Sequence, residues 1–203
     1  MRLSPGERWA TFDCYGTLVD WNAGLRDALG SDELLARYHE VEPQVQAEDP
    51  SRSYREVMRE GARRLGVDAD PAETLPDWPV FTDVRPALEE ARDRGWRLAI
   101  LSNTDRDLLD ASIAAIAVPF DLTVVASEIG SYKPAPGHWH AFEERVGRVP
   151  DAHVAQSHFH DVVPALSLGI PTVWVNRLGE SGDPQPTVEL PGLAGLAGAL
   201  ERL

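Results

Sequence analysis

Short apolar runs alternate with stretches of helical periodicity along most of the chain. The runs predict five β-strands, at residues 8–12, 97–101, 122–126, 153–156 and 172–175. Helical patterns follow or precede them, at residues 86–94, 105–117, 138–146 and 162–168. Strands and helices that alternate at this spacing are joined by right-handed crossovers into a parallel sheet covered on both faces. We therefore predict an α/β fold with a Rossmann-like parallel sheet, followed by a loop-rich tail at residues 179–191 and a weak final helix at 192–203.

The segment between the first two strands has a different pattern. It contains no convincing strand and predicts helices at residues 32–46 and 53–65. Pro43 is expected to bend or end the first of these, because proline cannot donate a helical hydrogen bond. The simplest architecture is a small helical cap inserted after the first strand of the core, with the core at residues 1–20 and 80–203 and the cap at residues 21–79.

Composition and charge exclude several functional classes. The 203 residues carry a formal net charge of −14, and an acidic surface repels phosphate backbones, so no nucleic-acid partner is expected. No apolar run approaches the roughly 18 residues of a membrane-spanning helix, so no membrane partner is expected either. The first eight residues lack an apolar leader, which favours the cytoplasm. The single cysteine, Cys14, cannot form an internal disulfide, and no Cys/His spacing resembles a zinc site.

The basic residues are distributed unevenly between the two types. Of the 19 Lys and Arg residues, 18 are Arg, and the single Lys is Lys133. Coding bias explains a preference for Arg but does not explain the exception. Lys and Arg are not interchangeable where a compact charge must fit beside a carboxylate. Lys133 is therefore a candidate functional residue.

Polar residues follow four of the predicted strands. In chain order the strand ends supply a carboxylate, a Ser-Asn pair, the single Lys and a second carboxylate: Asp13 with Thr17, Ser102 with Asn103, Lys133, and Ser157 with Asp161. Ligands bind at the carboxyl ends of the strands in an open parallel sheet. These residues are therefore expected to converge on one crevice.

This order of motifs resembles the haloacid dehalogenase superfamily. Asp-x-x-Gly-Thr, Ser-Asn, Lys-Pro and a terminal Asp match its four motifs from Asp13 to Asp161, most of the chain. Most members are Mg²⁺-dependent phosphatases with a second acid two residues after the nucleophile, where this chain has Tyr15. They also carry an additional acid in the fourth motif, where this chain has Ser157. The proton donor and half of the metal site are thus absent, and Mg²⁺ is expected only if the chain is a phosphatase.

The Asp-x-Tyr-Gly-Thr segment is similar to that of the L-2-haloacid dehalogenases. The resemblance implies hydrolytic dehalogenation of a 2-haloalkanoic acid to a 2-hydroxy acid through an aspartyl ester, with no metal and no other cofactor. Halide leaves without a proton, so no acid is needed at Tyr15. The expected partner is a small anionic substrate, and enzymes of this type often form homodimers.

The resemblance implies a role for each matching residue. Asp13 is the nucleophile, Thr17 hydrogen-bonds to it, Lys133 orients and neutralises it, and Asp161 positions either Lys133 or the hydrolytic water. The Ser-Asn pair holds the substrate carboxylate and the halide. Further residues are implied in substrate binding: Tyr15 and Trp21 as lining of an apolar pocket, and Arg37, five residues before a Glu, as the group that grips the halide.

Two departures from the family pattern concern the same crevice. His158 stands three residues before Asp161, with His160 adjacent, where the family usually has Asn between the motif-four Ser and Asp. His158 is a candidate base for water activation, although both histidines could instead be structural. Trp139 takes a position where the family often has Tyr, and offers an N–H but no acceptor oxygen. Trp139 and His160 are further candidates for substrate binding.

Three other functions stay open at this point. The chain could be a phosphatase with a relaxed metal site, a hydrolase that opens a strained C–N ring beside a carboxylate, or a non-catalytic binder of small molecules. The first two keep Asp13 as nucleophile and change only the leaving group.

Overall fold

The computed structural model describes residues 7–203, so most of the N-terminal segment that lacks an apolar leader lies outside the described residues. Six parallel strands form one sheet in the order β3-β2-β1-β4-β5-β6. The strands are β1 Arg8–Phe12, β2 Trp96–Ser102, β3 Leu122–Val125, β4 Ala152–Ala155, β5 Thr172–Val175 and β6 Val188–Leu190. The predicted α/β fold with a parallel sheet is confirmed.

Strand β1 lies inside the sheet between β2 and β4. The chain first builds β2 and β3 on one side of β1 and then crosses to add β4, β5 and β6 on the other side. The order of strands therefore reverses beside β1, and this is the position at which open parallel sheets bind ligands. Asp13 and Asp161 follow β1 and β4, so the topology alone places both carboxylates at this crevice.

Helices fill the segment between β1 and β2 and cover the sheet. Between β1 and the sheet-covering helix α5 lie α1 Trp21–Leu29, α2 Asp32–Glu48, α3 Tyr54–Arg64, α4 Pro71–Thr74 and a 3-10 turn, Leu75–Asp77. The remaining helices are α5 Val84–Asp93, α6 Arg106–Ile116, α7 Ala126–Ile129, α8 Gly137–Val146, a π-helical turn at His158–Val162, α9 Val163–Ser167 and α10 Leu196–Leu200. None of the helices within residues 7–203 is long and apolar enough to cross a membrane.

The structure corrects three expectations. Strand β6 lies in the tail predicted as loop; its three residues sit at the sheet edge and are at most half-buried, so they carry little hydrophobic signal. Helix α1 was not predicted, although Asp20 caps it by accepting a hydrogen bond from Ala23 N at 3.0 Å. Helix α2 continues through Pro43 to Glu48. The carbonyl that loses its helical partner there belongs to His39, which is exposed, so water can satisfy it.

Alternating strand residues divide the core between the two faces of the sheet. Leu98 and Ile100 pack with the helical segment and helices α5 and α6 in the larger apolar cluster. Ala99 and Leu101, one residue out of phase, pack on the other face against Trp139 and the rest of α8. With both faces buried, the strand ends are the part of the sheet left to carry polar groups.

Candidate active site

The turn after β1 fixes the carboxylate of Asp13. Gly16 adopts a left-handed φ of 88°, and an added Cβ would lie 3.0 Å from Gln156 Oε1, so glycine suits both the turn and the close approach. The turn brings Thr17 back over the strand end, where its Oγ1 donates to Asp13 Oδ2 at 2.9 Å. Thr17 Oγ1 in turn accepts the backbone N–H of Gln156 at 2.9 Å. One oxygen of Asp13 is thereby held in a single orientation.

Lys133 lies at the centre of the crevice with all three ammonium protons engaged. Its Nζ donates to Asp13 Oδ1 at 2.9 Å, to Asp161 Oδ1 at 2.6 Å and to the carbonyl of Leu101 at 2.8 Å. The Lys133 side chain is only 1% exposed. An ammonium has three donors and no acceptor, so this geometry saturates it. The single lysine of the chain thus bridges the two carboxylates that the topology brings together.

Burial and charge pull the protonation of these three groups in opposite directions. For Asp13, burial is the largest effect and, with the nearby Asp161 charge, raises the pKa above its ordinary value despite Lys133 and Thr17. Burial also opposes the charged form of Asp161, but Lys133 and His153 outweigh it and hold the pKa of Asp161 well below its usual range. For Lys133, burial alone would lower the pKa, yet the two carboxylates raise it. Lys133 and Asp161 therefore stay charged, and Asp13 is the group whose ionisation is most easily lost.

A second layer of hydrogen bonds supports Asp161 from inside the sheet. His153 Nε2 lies 2.9 Å from Asp161 Oδ1, and Thr11 Oγ1 lies 2.8 Å from His153 Nδ1. Thr11 and His153 are register partners on β1 and β4, and both are fully buried. The sequence did not lead us to predict this pair. The signal that could have indicated it was His153, a titratable residue within a strand that is buried on both faces of the sheet.

The residues after β2 have different contacts. Asn103 clamps the backbone of Lys133: its Oδ1 accepts Lys133 N at 2.7 Å and its Nδ2 donates to Lys133 O at 3.0 Å. Ser102 is fully buried, and its Oγ has no hydrogen-bond partner within residues 7–203. His138 Nε2 lies 3.0 Å from Ser102 O, and burial lowers the pKa of His138 to about 3, so the ring is neutral. Ser102 therefore presents a free hydroxyl to the crevice, whereas Asn103 positions Lys133.

A cavity of about 1080 Å³ opens above these strand ends, between the sheet and the helical segment. Ten of the residues predicted for the site line it: Asp13, Tyr15, Trp21, Ser102, Asn103, Lys133, Ser157, His158, His160 and Asp161. Thr17 supports Asp13 from behind the cavity wall. Tyr15 packs between Tyr54 and Trp78, with ring centroids 6.3 Å apart in each pair, so this wall is aromatic.

Two residues predicted to bind substrate do not line the cavity. Helix α2 turns one face toward it, with Leu35, His39 and Glu42 among the lining residues, and Arg37 lies two positions from Leu35 and His39. Two residues correspond to roughly 200° around a helix, so Arg37 is exposed on the opposite side. Trp139 is buried under the sheet, where its ring packs against His153 at 5.3 Å. The structure therefore places neither Arg37 nor Trp139 at the cavity where the other predicted residues meet.

The cationic residue that sequence reasoning missed is Arg26. Three Lys or Arg side chains line the cavity among the residues that the structure describes. All three donors of Lys133 are already used, and Arg177 is held in a bidentate ion pair with Asp83. Arg26, in the last turn of α1, has only long contacts to Asp27 (3.8 Å) and Asp32 (3.6 Å). It is the cation most available to an anionic group in the cavity.

The two motif-four histidines differ in their surroundings. His158 Nε2 lies 3.0 Å from Pro184 O, and its ring packs on Trp174 with centroids 5.0 Å apart. His158 therefore helps to hold the tail segment that contains Pro184 against the sheet. His160 adjoins Asp161, and its Nδ1 lies 3.1 Å from Ser157 Oγ. Burial lowers the pKa of His160 below its ordinary value, which leaves a neutral imidazole at the cavity. His160 therefore has the properties of a base that the sequence suggested for His158.

The donor set at the strand ends does not fit a divalent cation. Magnesium takes about six oxygen ligands in octahedral geometry. Here Asp13 and Asp161 already share the Lys133 ammonium, and the third acidic position holds Ser157. Within residues 7–203, no group of three or more His, Cys, Asp or Glu side chains is arranged to hold a metal ion.

Comparison with known proteins agrees with this geometry. A sequence model described as haloacid dehalogenase-like hydrolase matches residues 8–155. The chain is 32% identical over 199 residues to the (S)-2-haloacid dehalogenase of Pseudomonas sp. strain YL, covering 83% of this chain and 82% of that protein. It is 30% identical over 146 residues to a phosphoserine phosphatase of Thermus thermophilus, covering 66% and 59%. A solved structure of L-2-haloacid dehalogenase from Xanthobacter autotrophicus shares the fold, with a TM-score of 0.80 at 21% identity over 96% of this chain and 98% of that one.

Proposed function

The chain belongs to the haloacid dehalogenase-like hydrolase family, and we propose that it hydrolyses a 2-haloalkanoic acid to the 2-hydroxy acid through an ester on Asp13. One observation carries this proposal: the Lys133 ammonium bridges the Asp13 and Asp161 carboxylates at 2.9 and 2.6 Å. That arrangement neutralises an attacking carboxylate but leaves no place for a phosphate-binding metal. Tyr15 occupies the position at which a phosphatase has its proton-donating acid. A halide leaves without a proton, so the proposed reaction needs no acid there.

The first step forms the ester. An oxygen of Asp13 attacks C2, a C–O bond forms, and the halide leaves with the electron pair of the C–X bond. Thr17 and Lys133 each hold one carboxylate oxygen, at 2.9 Å, so the carboxylate presents its remaining lone pairs in a fixed direction. The raised pKa of Asp13 marks a poorly solvated carboxylate, and a poorly solvated carboxylate is the more reactive nucleophile.

The second step returns Asp13 to its free form. Water attacks the carbonyl carbon of the Asp13 ester and gives one proton to a base. The acyl C–O bond then breaks, the protonated base returns that proton to the leaving alkoxide oxygen to give the 2-hydroxy acid, and the second water proton leaves the new Asp13 carboxyl for solvent. One oxygen of the regenerated carboxylate comes from water, while the product keeps the oxygen that attacked C2. His160 is neutral and lines the cavity, so we assign it the role of base; Asp161, with its lowered pKa, is too weak a base.

The substrate carboxylate needs donors that the rest of the protein does not use. Ser102 Oγ is buried in the cavity wall and has no hydrogen-bond partner among residues 7–203. A buried hydroxyl is normally hydrogen-bonded, so a bound ligand would satisfy it. Arg26 supplies the available positive charge at the same cavity. These two groups are our candidates for substrate binding.

The helices between β1 and α5 are proposed to act as the cap over the reacting carbon, because the cavity is lined from both sides. Formation of a homodimer and a cytoplasmic location stay predictions.

A halide-release screen tests the proposed function. Purified protein is incubated with a panel of 2-chloro- and 2-bromoalkanoates, with and without chelator, and the Asp13→Asn variant serves as the blank. We expect halide release that chelator does not reduce and that the variant lacks. Release of phosphate from a phosphate ester, abolished by chelator, would favour the phosphatase, and binding without turnover of either class would favour the non-catalytic alternative.

A further inference from the structure

The helical side of the cavity carries a carboxylate that the proposed reaction does not use. Glu42 lies on the face of α2 that lines the cavity and is only 9% exposed. Gln46, one turn further along the same face, is 7% exposed and also lines the cavity. Two buried polar side chains thus face the cavity from the helical segment, opposite the strand ends that hold Asp13.

Glu42 is a buried carboxylate without a cationic partner among the residues that the structure describes. No Lys, Arg or His in the described part of the chain forms an ion pair with it, and the one group that favours its charged form is the hydroxyl of Tyr54. That hydroxyl accepts from Trp21 Nε1 at 3.0 Å, so its own proton is free to point at Glu42. Burial raises the pKa of Glu42 to about 7. A carboxylate in a buried position without a counter-ion is costly unless a ligand supplies one.

Aromatic side chains line the same cavity as Glu42. Trp21, Tyr54 and Tyr15 all line the cavity, and the rings of Tyr15 and Tyr54 are stacked with centroids 6.3 Å apart. The faces of aromatic rings attract cations, and proteins often bind quaternary ammonium groups among aromatic side chains. A cavity that holds a buried carboxylate together with aromatic side chains is therefore a suitable environment for an ammonium group.

The size of the cavity leaves room for such a group. Its volume of about 1080 Å³ is at the upper end of small-molecule pockets and far exceeds the needs of a two- or three-carbon haloacid. A longer substrate would reach from Asp13 toward Glu42.

We propose that the substrate carries a positively charged group at the end remote from the reacting carbon, and that Glu42 is its counter-ion. This inference rests on the proposed function for the reactive end of the molecule. It names the substrate class as zwitterionic 2-haloalkanoic acids with a distal ammonium.

The test uses two series of 2-bromoalkanoates that differ by one charge. One series ends in a trimethylammonium group and the other in a tert-butyl group of the same shape, each with two to five methylenes before the terminal group. Binding to the Asp13→Asn variant is measured by calorimetry, so that turnover is not required. At the best chain length we expect the ammonium compound to bind on the order of tenfold more tightly than its neutral isostere.

Substitution of Glu42 assigns the preference to that side chain. In the Asp13→Asn background, Glu42→Gln is expected to lower the affinity ratio severalfold, while Glu40→Gln, on the same helix but exposed, leaves the ratio unchanged. Thermal unfolding checks that the variants fold, and Glu42→Leu serves as a second neutral variant.

Equal binding of both series to the Asp13→Asn protein, or a preference that Glu42→Gln does not reduce, would overturn the inference. Halide release by the unsubstituted protein is scored separately. If no haloacid is turned over but the Glu42-dependent preference for the cation is found, the proposed reaction fails and the cation site stands.

Discussion

Replacement of Lys133 by Met removes the ammonium that bridges Asp13 and Asp161 while keeping a side chain of similar length. In the native protein three donor contacts of 2.6–2.9 Å end on this group, which is almost fully buried. The substitution leaves two buried carboxylates facing each other and a carbonyl without its donor. Breaking a buried ion pair by removing one partner costs about 3–5 kcal/mol. For a chain of this size that corresponds to a fall in Tm of roughly 6–20 °C.

The pH dependence of this loss distinguishes the electrostatic explanation from a packing defect. In the native protein the pKa of Asp161 is held below its ordinary value of 3.8, so its contribution to stability is present above that value and is lost only in strong acid. In Lys133→Met the paired carboxylates must share a proton, which raises the pKa of one of them. The variant is then most stable below that raised pKa and loses stability as pH increases through it. The difference in Tm between the two proteins should therefore widen from about pH 4 to pH 7.

Thermal unfolding followed by circular dichroism across this pH range measures the difference directly. Arg63→Met is the matched control, because Arg63 pairs with Glu60 on an exposed helix face and its loss should have little effect. If the Lys133→Met deficit is constant with pH, or no larger than that of the control, the bridge does not hold the site together as described.

Three further outcomes follow from the geometry. As pH falls, kcat/KM should decrease with an apparent pKa above the ordinary carboxyl value of 3.8, because the pKa of Asp13 is raised and its protonation removes the nucleophile. A value of kcat/KM that stays constant down to pH 4 would contradict this. In single-turnover measurements His160→Gln should slow ester hydrolysis about 100-fold or more, whereas His158→Asn, which loosens a tail contact, should not; the reverse order would restore His158 as the base. Arg26→Ala should raise KM for anionic substrates and Arg37→Ala should leave it within about twofold, and steady-state halide release over a range of haloacid concentrations decides between them.

Much of the fold and the centre of the site could be predicted because both depend on local patterns. Buried parallel strands appear as apolar runs, and the residues that follow them are brought together by topology alone. Asp13, Ser102, Lys133 and Asp161 all lie where this reasoning placed them, on the wall of one cavity. The unusual distribution of lysine also has a structural counterpart, since the single Lys occupies a position where a compact charge makes three short contacts.

The parts that could not be predicted depend on how elements meet. Arg37 and Glu42 lie on the same helix, and only its rotation relative to the sheet decides that Glu42 enters the cavity and Arg37 does not. The apolar stripe of α2 is weak, so the sequence does not fix that rotation. His153 could not be predicted for another reason. In the sequence it is a single polar residue within an apolar strand, and its contact with Asp161 depends on the π-helical turn that follows β4.

Isotope labelling in a single turnover tests the central claim that Asp13 becomes an ester. Enzyme in excess over a 2-bromoalkanoate is allowed one turnover in ¹⁸O-labelled water, and both the peptide containing Asp13 and the hydroxy acid are analysed by mass spectrometry. We expect one ¹⁸O in the Asp13 carboxylate and none in the hydroxyl group of the product. Label in the product after the first turnover, with Asp13 unlabelled, would show that water attacks C2 directly and would contradict the covalent mechanism.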